Sequence, residues 1–379
     1  MSSFSTPAVP HGLVDRLRLL PWGMVTIVVL LGTVGIAFLY SAGGMDWEPW
    51  AGKQTIRFVP CLLLMLGLAL VDIRVYLRYA YAIYALSFVL LIAVLLVGHT
   101  GKGAERWLDL GIITLQPSEL MKIALVLTLA RYFHGRSWEE VGRIPVLIPP
   151  LLLAGLPIVL VLLQPNLGTA LLLSAATAAI FWGAGVRWWK FALLIALALA
   201  ALPIVWQYGL HDYQRARITT FMQPENDPQG AGYNILQSQI ALGSGGITGK
   251  GFGLGTQSQL QFLPEKHTDF IFVVIAEEMG LFGAVLMLAL YGGLLFYALM
   301  ITLSSRNDFG RLVATGLMAT IFLYVMANVS MVSGLIPVVG IPLPLVSYGG
   351  SAQLTLSVAC GILLSVALHR DVRLSRGVF

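Results

Sequence analysis

The run from Phe270 to Leu303, FIFVVIAEEMGLFGAVLMLALYGGLLFYALMITL, decides the fold. A helix crosses the hydrocarbon core of a bilayer with roughly 20 mostly apolar residues, and its backbone must then satisfy its own hydrogen bonds because no water is there to do so. This run is long and apolar enough to span. The rest of the chain agrees: its 379 residues are 58% hydrophobic and only 11% charged, with a mean hydropathy of +0.83. Such a composition excludes a water-soluble globule. The apolar runs are too long and uniform for the alternating strands of a barrel, so the fold class is all-α and polytopic. Further spans are read at Trp22–Tyr40, Ile56–Val71, Tyr79–Val97, Pro117–Phe133, Pro145–Leu163, Leu167–Gly185, Phe191–Tyr208, Leu312–Val332 and Ser351–Leu368, about ten transmembrane helices in all.

Charge orients these spans, because Lys and Arg collect in short cytoplasmic segments. With the N-terminus inside, most of the 23 basic residues fall on the cytoplasmic face, among them Arg16, Arg18, Arg74, Arg78, Arg131, Arg136, Arg143, Arg187, Arg306 and Arg370. The outer face keeps Lys53, Arg57, Lys102, Arg106, Lys122, Arg215, Arg217, Lys250 and Lys266. Both termini are therefore expected in the cytoplasm. The first apolar run is too long for a signal-peptide core and is read as a retained anchor. Cys61 and Cys360 lie inside spans, as small apolar packing residues rather than a disulfide. The net charge of +5 follows from the inside-positive loops, and no basic face with interleaved aromatics suggests nucleic acid.

One domain covers residues 1–379, with a single long extracytoplasmic loop at about 209–269. Within it, Arg215 to Phe221 is basic and partly apolar, and Tyr233 to Leu242 has the spacing of an amphipathic helix lying at the interface. Between Gly243 and Gly255 the chain is glycine-rich, which suits either a turn-rich hinge or a backbone cradle for a diphosphate. A nucleotide loop is excluded, since Gly251 stands where a Ser or Thr would hold magnesium.

Three polar clusters converge on the outer face. The first, Phe262-Leu263-Pro264-Glu265-Lys266-His267-Thr268-Asp269, sets ionisable groups directly against the run that opens this section. Taken alone, Asp269 reads as a helix cap beside Thr268. The second runs from Gly101 to Leu110 and on through Gln116-Pro117-Ser118-Glu119-Leu120-Met121-Lys122. Pro117 suits a first helical turn, and Gln116, Glu119 and Lys122 recur every third residue on one face. An ionisable pair inside a membrane faces a cavity or a partner, unless Lys122 snorkels outward. The third, Leu335 to Ser351, has too many prolines and glycines for a helix and must line a cavity or lie buried in protein. Its hydroxyls, at Ser347 and Tyr348, can hydrogen-bond a sugar.

These clusters resemble motifs of the SEDS family of cell-wall polymerases. The resemblance rests on Lys102-Gly103-Ala104-Glu105-Arg106-Trp107-Leu108-Asp109, Gln116-Pro117-Ser118-Glu119, Gly243 to Gly253, Phe262 to Phe270 and Pro342 to Ser351, in order along nearly the whole chain. Val332 to Gly340, and Lys266 before His267, lean toward the rod-shape branch rather than the division branch. The resemblance implies polymerisation of lipid II at the outer leaflet of the bacterial cytoplasmic membrane. A GlcNAc 4-hydroxyl attacks the anomeric carbon of MurNAc with inversion and expels undecaprenyl diphosphate. It implies as partners the growing glycan strand, a class B penicillin-binding protein, MreC and MreD, in a setting of membrane lipids. It assigns Asp269 as the catalytic aspartate and matches Trp107, Glu119 and Lys122 to positions important for activity.

The residues themselves suit that chemistry. An attacking hydroxyl needs a base, a diphosphate leaving group needs cations, and a lipid tail needs a groove between helices. Asp269 can take the proton, and His267, Lys250, Lys266, Arg215 and Arg217 can neutralise the diphosphate, while Arg106, Trp107, Ser347 and Tyr348 join the substrate-binding set. No Asp-x-Asp motif is present, so no cofactor is called for, and a divalent cation, magnesium or manganese, is left open. Three classes of function remain: an enzyme that makes glycan, a flippase that moves lipid II between leaflets, and a non-catalytic scaffold of the elongation complex. Polar clusters confined to one face favour the enzyme.

Overall fold

The computed structural model describes residues 12–48, 50–97, 99–101, 104–109, 114–209, 212–223, 231–260, 262–263 and 265–374. Its helices are α1 (Leu13–Arg18), α2 (Trp22–Ala42), α3 (Ala51–Ala69), α4 (Ile73–Val97), α5 (Pro117–His134), α6 (Trp138–Val141), α7 (Ile144–Leu163), α8 (Leu167–Gly183), α9 (Trp188–Ile204), α10 (Asp212–Met222), α11 (Ala231–Ser244), α12 (Thr256–Gln259), α13 (Ile271–Ser304), α14 (Asp308–Val332) and α15 (Gly350–Leu368). Every span expected from the sequence meets one of them. Among the described residues 7 helices are long and apolar enough to cross a membrane, namely α2, α3, α4, α7, α13, α14 and α15. The chain is a multi-pass membrane protein. Helices α8 and α9 are apolar but shorter, and α9 ends in a wider π turn at Val205–Gly209.

Helix α5 carries Glu119, Lys122 and Arg131, yet nearly all of it is buried. It lies at the centre of the bundle, touching α4, α7, α8, α14 and α15. A helix surrounded by protein can hold charges that one facing lipid cannot. Pro117 occupies its first turn after the extended Gln116, where a missing N–H costs nothing. Helix α15 is likewise interior, with 72% of its apolar window buried against 28% for α7, so α7 faces lipid.

Two features depart from a purely helical reading. Residues of the second polar cluster form a three-stranded antiparallel sheet, β1 (His99–Gly101), β2 (Ala104–Asp109) and β3 (Thr114–Leu115), with Trp107 opposite His99. The long loop also contains α10, α11 and α12. Helix α11 covers the expected amphipathic segment, but it packs on α13 and α14 instead of lying at an interface. Its buried Ser238 hydroxyl donates to the Val332 carbonyl at 3.0 Å.

The deciding run is itself broken. Gly280, with φ 67° and ψ −160°, interrupts α13 and divides it into two helical segments. The glycine-rich loop supplies the hydrogen bonds that the break removes. The amides of Lys250 and Gly251 donate to the carbonyls of Glu277 (3.0 Å) and Glu278 (2.9 Å), and those of Leu281 and Phe282 donate to Gly246 (2.9 Å) and Ile247 (3.2 Å). The Lys250 and Gly251 amides are therefore engaged in the fold, which favours the hinge of the two readings: glycine is needed here so that the loop backbone can approach the break closely. At Gly249 a side chain would collide with the Glu278 carbonyl.

Candidate active site

The first and third polar clusters meet at one end of the bundle, and three successive carbonyls of the first are each tied by a different donor. His267 O accepts from the Tyr348 amide at 2.9 Å, and Thr268 O from the Ser347 hydroxyl at 2.5 Å. Asp269 O accepts from the Asn328 side-chain amide at 2.8 Å. The same Asn328 nitrogen donates to Ile341 O at 2.8 Å. The Ser347 hydroxyl also accepts from the Leu343 amide at 2.7 Å. It is buried and engaged, so Ser347 is a staple between loops and does not present its hydroxyl to a sugar. Gln54 on α3 donates to Ser347 O at 3.1 Å, and Tyr291 on α13 donates to Pro344 O at 2.5 Å. These anchors hold a strained loop, since Leu345 has φ 64°.

With its main chain fixed, Asp269 directs its carboxylate toward Gly340, where an added Cβ would lie 3.5 Å from Oδ2. The N-cap of α13 is Phe270, which makes no side-chain cap, so Asp269 precedes the helix and is not the cap residue that the sequence alone suggests. Val339 and Ile341, on either side of Gly340, line an apolar groove of about 550 Å³ between α8, α10 and α14, together with Leu171, Ile218 and Met326. A carboxylate thus stands beside a slot suited to hydrocarbon.

An aromatic and cationic array flanks the carboxylate on the α3 side. The His267 ring stacks on Trp50 with centroids 4.4 Å apart and planes 4° from parallel. Tyr348 lies 6.0 Å from His267, and the Arg57 guanidinium sits over the Tyr348 ring at 5.1 Å. Arg57 is exposed. Trp50, Gln54 and Arg57 follow one another at helical spacing from the start of α3, so one face of that helix meets both clusters.

The second cluster forms a buried triad one turn away. Lys122 Nζ lies 2.6 Å from Glu119 Oε1, and the Tyr324 hydroxyl donates to both Glu119 oxygens at 3.0 and 2.8 Å. The Lys122 ammonium also donates to the Tyr324 hydroxyl. Lys122 is 1% exposed, so it does not snorkel. Tyr324 and Asn328 are four residues apart on α14, hence on one face and about 6 Å apart along the axis. That face joins the triad to the backbone of Asp269.

The cations expected at a diphosphate are placed differently from one another. Lys250 is paired with the fully buried Glu277 at 2.8 Å, and Glu277 also accepts from the amides of Gln257 (2.9 Å) and Ser258 (3.2 Å). Lys266 is buried and donates to Ser258 O at 2.5 Å. Burial pushes its pKa down, and the charge of Glu278 partly opposes that. Both lysines are structural staples. Arg215 donates to Gln207 O at 2.9 Å. Strand β2, which carries Trp107, packs against α4 and α5. Lys102 and the side chains of Arg106 and Arg217 lie outside the described residues.

Tyr324, Asn328, Trp50, Gln54, Glu277 and Glu278 escape the sequence reading. The two glutamates carried a signal, as adjacent carboxylates inside an apolar run. For Tyr324 and Asn328 there is no local signal, because their partners lie far away in the chain.

A bundle of membrane-spanning helices with a carboxylate, buried polar triad and lipid-sized groove at one end defines an integral membrane protein built for a substrate with polar and hydrocarbon parts. The chain belongs to the FtsW, RodA and SpoVE family of cell cycle proteins, whose family model matches residues 21–372. It is 43% identical over 368 residues to the peptidoglycan glycosyltransferase MrdB of Escherichia coli, covering 96% of this chain and 97% of that one. It is 35% identical over 360 residues to the probable peptidoglycan glycosyltransferase FtsW of Trichlorobacter lovleyi, covering 91% and 92%. The rod shape determining protein RodA of Thermus thermophilus superposes with a TM-score of 0.72 at 30% identity, covering 95% and 99%. A chain of a peptidoglycan synthase complex that coordinates polymerization and crosslinking superposes with a TM-score of 0.81 at 32% identity, covering 93% and 98%.

Proposed function

We propose that this protein is a peptidoglycan glycosyltransferase that joins lipid II units into glycan strands at the outer leaflet of the cytoplasmic membrane. The near full-length likeness to named glycosyltransferases supports the activity. The observation that carries the mechanism is the Asp269 carboxylate beside Gly340, at the edge of the apolar groove. The groove takes a prenyl tail, which brings the sugar of that lipid to the carboxylate. Asp269 accepts the proton of the acceptor 4-hydroxyl as its oxygen bonds to the donor C1, and the C1–O bond to the diphosphate breaks with inversion. One bond forms and one breaks, and undecaprenyl diphosphate leaves as the anion.

Arg57 is the exposed cation of the wall and meets the departing diphosphate, with His267 and Tyr348 beside it. Such contacts are strongest where water is excluded. Among the described residues no three His, Cys, Asp or Glu side chains stand together as a metal site; a magnesium or manganese ion would add positive charge at the departing diphosphate. The inside-positive charge pattern supports cytoplasmic termini and an outward-facing site. The structural relative belongs to a complex that couples polymerization to crosslinking, which supports a cross-linking partner here; the partners proposed are a class B penicillin-binding protein, MreC and MreD.

The test is direct. Purified chain given lipid II in detergent forms glycan strands, and the same chain in vesicles moves no lipid II across the bilayer. Movement without polymer would establish the flippase instead.

A further inference from the structure

We propose that Asn328 is a positioning residue for the transfer, acting through Asp269. Asn328 is fully buried, and its one amide nitrogen donates both to Asp269 O and to Ile341 O at 2.8 Å. It therefore ties the backbone that carries the carboxylate to the loop that carries Gly340, against which the carboxylate lies. Its Oδ1 has no hydrogen-bond partner. Leaving a buried acceptor unpaired is unfavourable, so the side chain is held for its two donor contacts at the expense of its acceptor. A leucine would fill such a place in α14 without that cost.

The neighbouring carbonyls, His267 O and Thr268 O, are held from the loop at Ser347 and Tyr348. Asn328 is the tie at Asp269 itself that comes from outside both loops, on a helix of the bundle. It fixes the height of the carboxylate relative to the groove, and a displacement of about 1 Å at a reacting group can cost 10²-fold in rate. The side chain reaches main-chain atoms only, so it orients the base and takes no proton.

This inference rests on Asp269 being the base, and the experiment separates the two. Asn328→Asp keeps the shape but replaces both donors by acceptors, and Asn328→Ala removes them. Leu317→Ala, a buried α14 residue with 1% exposure, serves as a control for lost packing. Purified full-length variants are assayed with lipid II for kcat, KM and melting temperature. Both Asn328 variants are expected to lower kcat by about 10- to 100-fold with KM within about twofold, and to add no loss to Asp269→Asn. Leu317→Ala lowers the melting temperature while kcat per folded molecule stays within about twofold. The proposal is overturned if either folded Asn328 variant keeps kcat within twofold, if the loss falls on KM, or if neither variant folds. Should Asp269→Asn itself stay active, the base assignment fails whatever the Asn328 variants do.

Discussion

Glu119, Lys122 and Tyr324 show how single residues set the chemistry of a membrane interior. Two opposite charges and a hydroxyl, all buried, satisfy one another, and removing one member strands the rest. Breaking a buried pair costs about 3–5 kcal/mol, whereas removing both charges leaves neither unpaired. Lys122→Met is therefore expected to lower the melting temperature more than Lys122→Met combined with Glu119→Gln, as thermal denaturation in detergent will show. At the substrate wall, Arg57→Gln removes the exposed guanidinium over Tyr348. It is expected to raise KM for lipid II several-fold, as for a charge-assisted bond that water partly screens, and steady-state kinetics without anionic lipid will check this. How much of this could be read beforehand depends on range. The Glu119 and Lys122 pairing was legible from their spacing on one helix face, while Tyr324 and Asn328 could not be found from sequence because their partners come from distant elements. Lys250 and Lys266 drew attention as outward cations, and only the fold reveals Glu277 and Ser258 O as their partners.

Among the elements, α13 and the glycine-rich loop form one unit. The helix breaks at Gly280, and the loop hydrogen-bonds across the break. A Cβ at Gly280 would meet the backbone of Ile247 and Gly249, and its φ of +67° strains any other residue. Gly280→Ala is expected to destabilise the protein by more than the roughly 1 kcal/mol typical of a point mutation, and to reduce folded yield and activity together. Size-exclusion profiles and melting temperatures measure this, and wild-type values would refute the coupling. The break was not visible in the sequence, since glycine is frequent in transmembrane helices that remain continuous. The β1-β2-β3 sheet was hidden for another reason: its strands are short and lie in a polar stretch without sustained alternation. The apolar spans were legible because their length alone identifies them.

Across the whole molecule, the arrangement places a polar cluster beside an apolar groove at one end of the bundle. Charged α5 occupies the middle of the bundle, α7 faces lipid, and the groove between α8, α10 and α14 opens beside Asp269. A lipid-linked sugar can then keep its tail among apolar side chains while its head reaches the carboxylate. Each buried methylene contributes about 0.8 kcal/mol, so lipid II with a shortened prenyl chain is expected to show a higher KM with little change in kcat. Equal KM for short and full-length chains would mean that the tail binds elsewhere.

One comparison separates a lipid II polymerase that uses Asp269 as its base from the alternatives. Glycan synthesis from lipid II is measured for purified wild type and for Asp269→Asn, after both are shown to be folded by melting temperature. A positioned base contributes about 10² to 10⁴ in rate, so wild type is expected to make strands and Asp269→Asn to lose at least about 100-fold with its stability intact. Polymerisation by folded Asp269→Asn within about threefold of wild type would contradict the account.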